Sequence, residues 1–368
     1  MSLRRSPAER SVPALLTFGL VALDKPPGPS SHEVSGWVRD AMDDALARAA
    51  ANGRIESVDT VDPVDSIDAN DRADPDDGKG AIDRATPSPG GDSDGAGDSN
   101  DGPVTAEEGA TRPERHPSRP RVDRAAHGGT LDPKVTGVLP LFTGTATRLS
   151  RVHLEGDKEY VAVLECHGPV PDDATAVLER FEGPIYQRPP RHSAVARRRR
   201  VRTIYALEDL ERDERRLLLS VSCERGTYVR KLCHDLGLAL GTGAHMGELR
   251  RTATGAITDA DLVTLHDLVD ALEWWVEDGD EGPIREVVRP AERALEGLPS
   301  VTIDRAAARE VAHGAPVYAP GVRSVEDAEV DDLVACFTPD GAAVCLGRLV
   351  ADPALDAGTV VSLERVLV

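Results

Sequence analysis

A chain of 368 residues, 40 % of them apolar, has room for two domains, and with 3 % aromatics its core is expected to be aliphatic. No apolar run is long enough to cross a bilayer, and the arginines before Arg10 lead into no long apolar stretch, so the chain is expected in the cytoplasm. A net charge of −21 ordinarily argues against a nucleic-acid partner, but 16 acidic and only 3 basic residues fall between positions 56 and 110, so one segment carries most of it.

Of the 43 basic residues only Lys25, Lys79, Lys134, Lys158 and Lys231 are lysine. An Asp-rich, Lys-poor surface suits molar salt, where charges are screened beyond about 3 Å, and global acidity then says little about partners. The five cysteines, Cys166, Cys223, Cys233, Cys336 and Cys345, form no C-x-x-C pair and are odd in number. They point to buried thiols rather than a zinc site or a disulfide framework, and no metal or cofactor is expected.

Along the chain, Leu20, Ala22 and Leu23 lead into Asp24-Lys25-Pro26-Pro27-Gly28, a rigid turn. Ser30 with Glu33 three residues on is a capping box, and Val34, Trp37, Val38 and Ala41 follow with helical spacing. No aromatic residue occurs between Trp37 and Phe142, and Asp59, Asp62, Asp65, Asp68, Asp71 and Asp74 recur every third residue. That period fits neither helix nor strand, and the ladder lacks the Gly and bidentate Glu of a calcium loop. Residues 45–118 are therefore expected to be a disordered acidic insertion.

Structure is expected to resume near Ala125, with strands at 138–141, 160–166 and 217–223. A helix over 227–240 places Val229, Leu232, Cys233, Leu236 and Leu240 on one face, with Thr227 as its N-cap. After Pro299, strands at 301–303, 333–337, 342–346 and 360–363 mark a small β-rich domain.

Three segments carry chemistry. In His127-Gly128-Gly129-Thr130-Leu131-Asp132-Pro133-Lys134-Val135-Thr136-Gly137 the glycines permit close backbone approach, and Pro133 confines Asp132 to an extended conformation on a stiff loop. Taken alone, the same residues make an ordinary Asp-Pro turn. Arg230 sits in the first turn of the predicted helix, where its charge opposes the macrodipole; it suits a carboxylate partner, although by spacing it is as readily a surface arginine. Finally, Arg188, Arg191, Arg197, Arg198, Arg199, Arg200 and Arg202 lie in a stretch, 183–207, without one acidic residue. That block fits phosphate contact.

The chain resembles the pseudouridine synthase family that includes bacterial TruB and the archaeal and eukaryotic H/ACA enzymes of the dyskerin group. Six motifs carry the resemblance in the family's order: residues 24–28, 127–137, Lys158-Glu159-Tyr160, Gln187-Arg188-Pro189-Pro190, 223–230 and Gly243-Ala244-His245-Met246-Gly247-Glu248-Leu249-Arg250-Arg251. Gly314-Ala315-Pro316-Val317 resembles part of a PUA domain. The departures are the long acidic insertion and Ala125-Ala126 before His127.

The resemblance implies an α+β fold with a mixed, largely antiparallel central sheet, flanking helices and a small C-terminal PUA β-barrel. The expected organisation is 12–44 and 119–296 for the catalytic domain, 45–118 for the insertion and 297–368 for PUA. Asp132 is then the catalytic aspartate, attacking C1′ or removing a C2′ proton. The resemblance assigns Tyr160, Arg230, Leu249, Tyr228, His127 and Lys25 to substrate binding or its support, and Arg197, Arg198, Arg199 and Arg200 to a loop closing over RNA. The implied partners are substrate tRNA or rRNA, a box H/ACA guide RNA, a zinc-binding subunit, a Gly/Arg-type subunit and a kink-turn binder. Two alternatives remain at this level: a standalone synthase acting on the tRNA T loop, and a non-catalytic RNA-binding scaffold.

Overall fold

The computed structural model of the chain describes residues 3–55, 119–189, 198–352 and 355–368. Residues 56–118, with most of the predicted insertion, lie outside the described residues.

A short helix, α1 (Val12–Thr17), precedes β1 (Gly19–Lys25). Along β1, Val21 and Leu23 enter one core, and Leu20 and Ala22 enter another. Burial on both faces explains the unbroken apolar run. The capping box is formed: the Ser30 hydroxyl accepts from the Glu33 amide at 3.2 Å, and the Glu33 carboxylate accepts from the Ser30 amide at 2.8 Å. It starts α2 (Ser31–Ala51), whose buried stripe is Val34, Val38, Met42, Ala45, Leu46 and Ala49. Two expectations are corrected here. Trp37, placed on the apolar face, is half exposed. Residues 45–51, assigned to the insertion, continue the helix because Ala45, Leu46 and Ala49 extend the same stripe against the core.

The chain returns through β2 (Ala125–His127), β3 (Thr136–Thr143), α3 (Ser150–Glu155), β4 (Lys158–Cys166), α4 (Ala174–Glu179), β5 (Gly183–Gln187), β6 (Arg200–Arg212) and β7 (Arg216–Cys223). It continues through α5 (Val229–Ala239), β8 (Ala244–Thr254), β9 (Ile257–Thr258), α6 (Leu265–Asp278), α7 (Gly282–Val287) and β10 (Arg289–Pro290). These strands form one sheet in the order β10-β1-β3-β8-β4-β7-β6-β5, with β2 on β3 and β9 on β8. Every pairing is antiparallel except β3 with β8, the mixed sheet expected.

Helices α2 and α6 pack over β1 and β3, while α4 and α5 pack over β4, β6 and β7. The predicted face of α5 is buried, but the helix begins after Tyr228, not Thr227. The Thr227 hydroxyl instead donates to the Glu224 carbonyl at 2.7 Å. All five cysteines are buried free thiols.

The C-terminal part adds β11 (Ser300–Ile303), α8 (Arg305–Ala312), β12 (Val317–Tyr318), β13 (Val322–Glu326), β14 (Leu333–Phe337), β15 (Ala343–Leu349) and β16 (Thr359–Val366). They form a second, six-stranded sheet in the order β12-β16-β15-β14-β11-β13. Ala335, Ala343, Leu346 and Leu367 pack with Phe18, Leu20, Val138 and Phe142, so a shared core joins the two sheets. The buried Arg10 guanidinium grips Glu292 at 2.5 and 2.7 Å, and Glu292 also accepts from the Ala343 amide at 3.1 Å. Among the described residues, no helix is long and apolar enough to cross a membrane.

Candidate active site

The loop between β2 and β3 closes in a β-turn before β3, where the Val135 amide donates to the Asp132 carbonyl at 2.9 Å. Leu131 and Val135 are buried in the α2–α6 core, while Thr130, Asp132 and Lys134 are exposed. Four carbonyls of the loop are each held by a side chain. Gly129 O accepts from Arg251 at 3.1 Å, Leu131 O from the Ser31 hydroxyl at 3.1 Å, and Val135 O from the Lys25 ammonium at 2.9 Å. Pro133 O accepts from both Lys25 at 3.0 Å and the Gly28 amide at 2.8 Å. The Ser31 hydroxyl also accepts from the Leu131 amide at 2.8 Å. The rigid 24–28 turn and the start of α2 thus form a floor beneath Asp132.

Lys25 is fully buried, and its ammonium donates to three carbonyls, the third being Pro26 O at 3.0 Å. Burial lowers its pKa and the nearby Asp132 carboxylate opposes the shift. Two of these bonds hold the Asp132 loop from below, and the third closes the 24–28 turn.

Arg230 pairs with the Asp132 carboxylate from the second residue of α5, and both side chains remain about half exposed. The carboxylate answers the charge that the helix N-terminus repels. That terminus has no side-chain cap. Gln187, almost fully buried at the end of β5, instead accepts from the Tyr228 amide at 2.9 Å and donates to the Tyr228 carbonyl at 3.2 Å.

Tyr160, on β4, is cross-strand neighbour to Val221 on β7 and Arg251 on β8. Burial raises the Tyr160 hydroxyl's pKa, and the charge of the neighbouring Arg251 opposes the rise. Leu249 is half-buried at the seam of the two catalytic-domain cores and packs on both. His127 ends β2 with Nδ1 buried and unpartnered; burial, then the charges of Arg251 and His32, lower its pKa. Arg198 and Arg199 are exposed just before β6, where Arg200 begins the strand, and Arg197 lies outside the described residues. The structure thus joins Asp132 to Arg230 directly, sets Lys25 beneath their loop, and places Arg198 to Arg200 on a separate hairpin at the sheet's edge.

Arg251, Ser31 and Gln187 were not singled out as functional residues from sequence. Tandem arginines on a strand point to opposite faces, the one available signal for Arg251: Arg250 takes Asp24 at 2.9 and 3.1 Å, and Arg251 turns inward. Among the described residues, no group of three or more His, Cys, Asp or Glu is placed to hold a metal. A half-exposed carboxylate, aimed by a guanidinium and standing on a clamped loop, can attack carbon or take a proton. Its openness suits a macromolecular substrate.

Four family models match the chain: "DKCLD (NUC011) domain" at 4–35, "TruB family pseudouridylate synthase (N terminal domain)" at 118–173, "tRNA pseudouridylate synthase B C-terminal domain" at 230–296 and "PUA domain" at 299–354. Among curated relatives, a "Probable tRNA pseudouridine synthase B" of Haloarcula marismortui is 47 % identical, covering 100 % of this chain and 94 % of the relative. One of the same name from Methanopyrus kandleri is 38 % identical over 98 % and 86 %. Among solved structures, a chain of a Cbf5-Nop10-Gar1 complex matches with TM-score 0.74 and 35 % identity, covering 100 % of this chain and 90 % of that one. A chain of an H/ACA RNP bound to a substrate RNA containing 2'-deoxyuridine matches with TM-score 0.73 and 34 % identity, over 100 % and 90 %.

Proposed function

The chain belongs to the TruB family of pseudouridylate synthases, and on that premise we propose that Asp132 is the catalytic carboxylate of an RNA uridine-to-pseudouridine isomerase guided by box H/ACA RNA. The observation that carries this reading is the Asp132–Arg230 pair, held above a loop with four of its carbonyls clamped.

The reaction breaks the uridine N1–C1′ bond, turns the base and forms a C5–C1′ bond, after the nucleotide has left its stack. Two carboxylates serve a glycosidase because it must also activate water. Here the uracil is recaptured, so one suffices, acting at C1′ or on the C2′ proton. Arg230 keeps the Asp132 carboxylate aimed. Tyr160 stacks on the base, Leu249 packs beside it, and Tyr228 and His127 line the site. Arg197 to Arg200 contact phosphates, and the PUA domain holds the guide RNA.

The assembly includes Nop10- and Gar1-type subunits, the zinc-binding and Gly/Arg-type partners, together with a kink-turn binder, and works in the cytoplasm. Pseudouridine mapping on a guide–target pair and on a tRNA T-loop transcript, with and without those subunits, tests this. Conversion of the guided target by the wild type and none by Asp132→Asn, with RNA binding retained, is the expected result. An Asp132→Asn rate within about tenfold of wild type removes Asp132 from the mechanism.

A further inference from the structure

Arg251 is 1 % exposed, yet among the described residues no carboxylate pairs with it. A buried cation without a counter-ion opposes folding, and its neighbour Arg250 avoids that cost by pairing with Asp24. What Arg251 has instead is two backbone acceptors on different elements, with Tyr160 as its cross-strand neighbour. Its Nε donates to the Val138 carbonyl of β3 at 2.8 Å, and Nη2 donates to Gly129 O in the Asp132 loop at 3.1 Å. Across the sheet, Arg251 is the register partner of Tyr160 on β4.

Two glycines clear its space. A Cβ at Gly129 would stand 3.1 Å from Nη1, and one at Gly137 would stand 2.1 Å from the Arg251 carbonyl oxygen. A single planar fork thus ties Val138 and Gly129 together beside Tyr160, which a lysine ammonium does not reproduce.

We propose that Arg251 is a positioning residue for the isomerisation, holding the Tyr160 ring and the Asp132 loop at a fixed offset so that a base against Tyr160 meets the carboxylate in register. This deepens the reading of Asp132 and Tyr160 above and rests on it. Burial lowers the Arg251 pKa and raises that of Tyr160, and each partner opposes the other's shift, as a coupled pair requires. The consequence is confined to geometry: RNA affinity comes from elsewhere, so disturbing Arg251 changes turnover and not binding.

The test is a double-mutant cycle of Arg251→Gln and Tyr160→Phe on the guide–target RNA, with Asp132→Asn as reference. Each single variant is expected to lower kcat about a hundredfold, with KM within about threefold of wild type, and the double variant to be no slower than the worse single. Multiplied losses in the double variant, or a change in KM alone, overturn the proposal. Should Arg251→Gln not fold, Tyr160→Phe still decides: it keeps the ring and removes only the hydroxyl, and wild-type kcat in that variant overturns the proposal. An active Asp132→Asn enzyme refutes the active-site reading itself. An inactive one with independent Arg251 and Tyr160 effects refutes only this inference.

Discussion

Arg230 reaches the Asp132 carboxylate across 98 residues of sequence, from the first turn of α5 to the loop before β3. Neither residue is buried, so the pair owes its persistence to the anchoring of its two supports: the clamped loop and the Gln187-held start of α5. Surface ion pairs by themselves contribute little to stability. Arg230→Met is therefore expected to leave the melting temperature nearly unchanged while kcat falls about a hundredfold, because the carboxylate loses its orientation. Steady-state kinetics beside a thermal melt separates the two; a large drop in melting temperature with kcat intact would make the pair structural.

Lys158 supplies a pH signature of folding. Its ammonium donates to His153 O at 2.8 Å and Gly156 O at 2.5 Å, and burial pushes its pKa down to about 8, Arg251 adding to the shift and Asp157 opposing it. Between about 8 and the ordinary lysine value of 10.5 the unfolded chain holds a proton that the folded chain has released. Stability contributed by this group therefore rises with pH through that window. Urea midpoints for wild type and Lys158→Met, compared from pH 7 to 10.5, are expected to converge as pH falls short of the window and to diverge in favour of wild type within it. Parallel curves would show that Lys158 does not titrate there.

The acidic segment can be removed, but the cut must respect the end of α2. The Arg54 side chain donates to Val276 O at 2.7 Å, and the Asn52 amide donates to the same carbonyl at 3.3 Å. Deleting residues 56–117 is expected to preserve folding and activity at high salt, whereas starting the deletion at residue 50 loses these contacts and about 1 to 2 kcal/mol. Chemical denaturation of both deletions decides this. Lost activity in the shorter deletion with its stability intact would assign the segment an RNA or a partner.

Two glycines with positive φ make a controlled comparison. Gly28 (φ 114) has open space where a Cβ would go, but at Gly137 (φ 95) a Cβ would collide with the Arg251 carbonyl. Gly28→Ala is expected to cost about 1 kcal/mol of backbone strain, and Gly137→Ala about 3 kcal/mol or more, since β3 and β8 must separate. Equal destabilisation would mean that close packing of β3 against β8 is not what the glycine serves.

Local physics made much of this readable from the chain. The capping box at Ser30, the apolar face of α5 and the stiff Asp132-Pro133 loop follow from rules that act within one turn or one dipeptide. Two boundaries were misplaced for reasons equally local: Leu46 and Ala49 extend α2 into the expected insertion, and Gln187, remote in sequence, takes the place of a capping Thr227. The family motifs marked Lys25 without revealing that its ammonium is consumed beneath the loop, because the Pro133 and Val135 carbonyls reach it only after β1 pairs with β3. Arg251 was hidden for the same reason. An arginine on a strand is polar by composition, and whether it meets water or two buried carbonyls depends on which strands close around it, a long-range matter that no window of sequence contains.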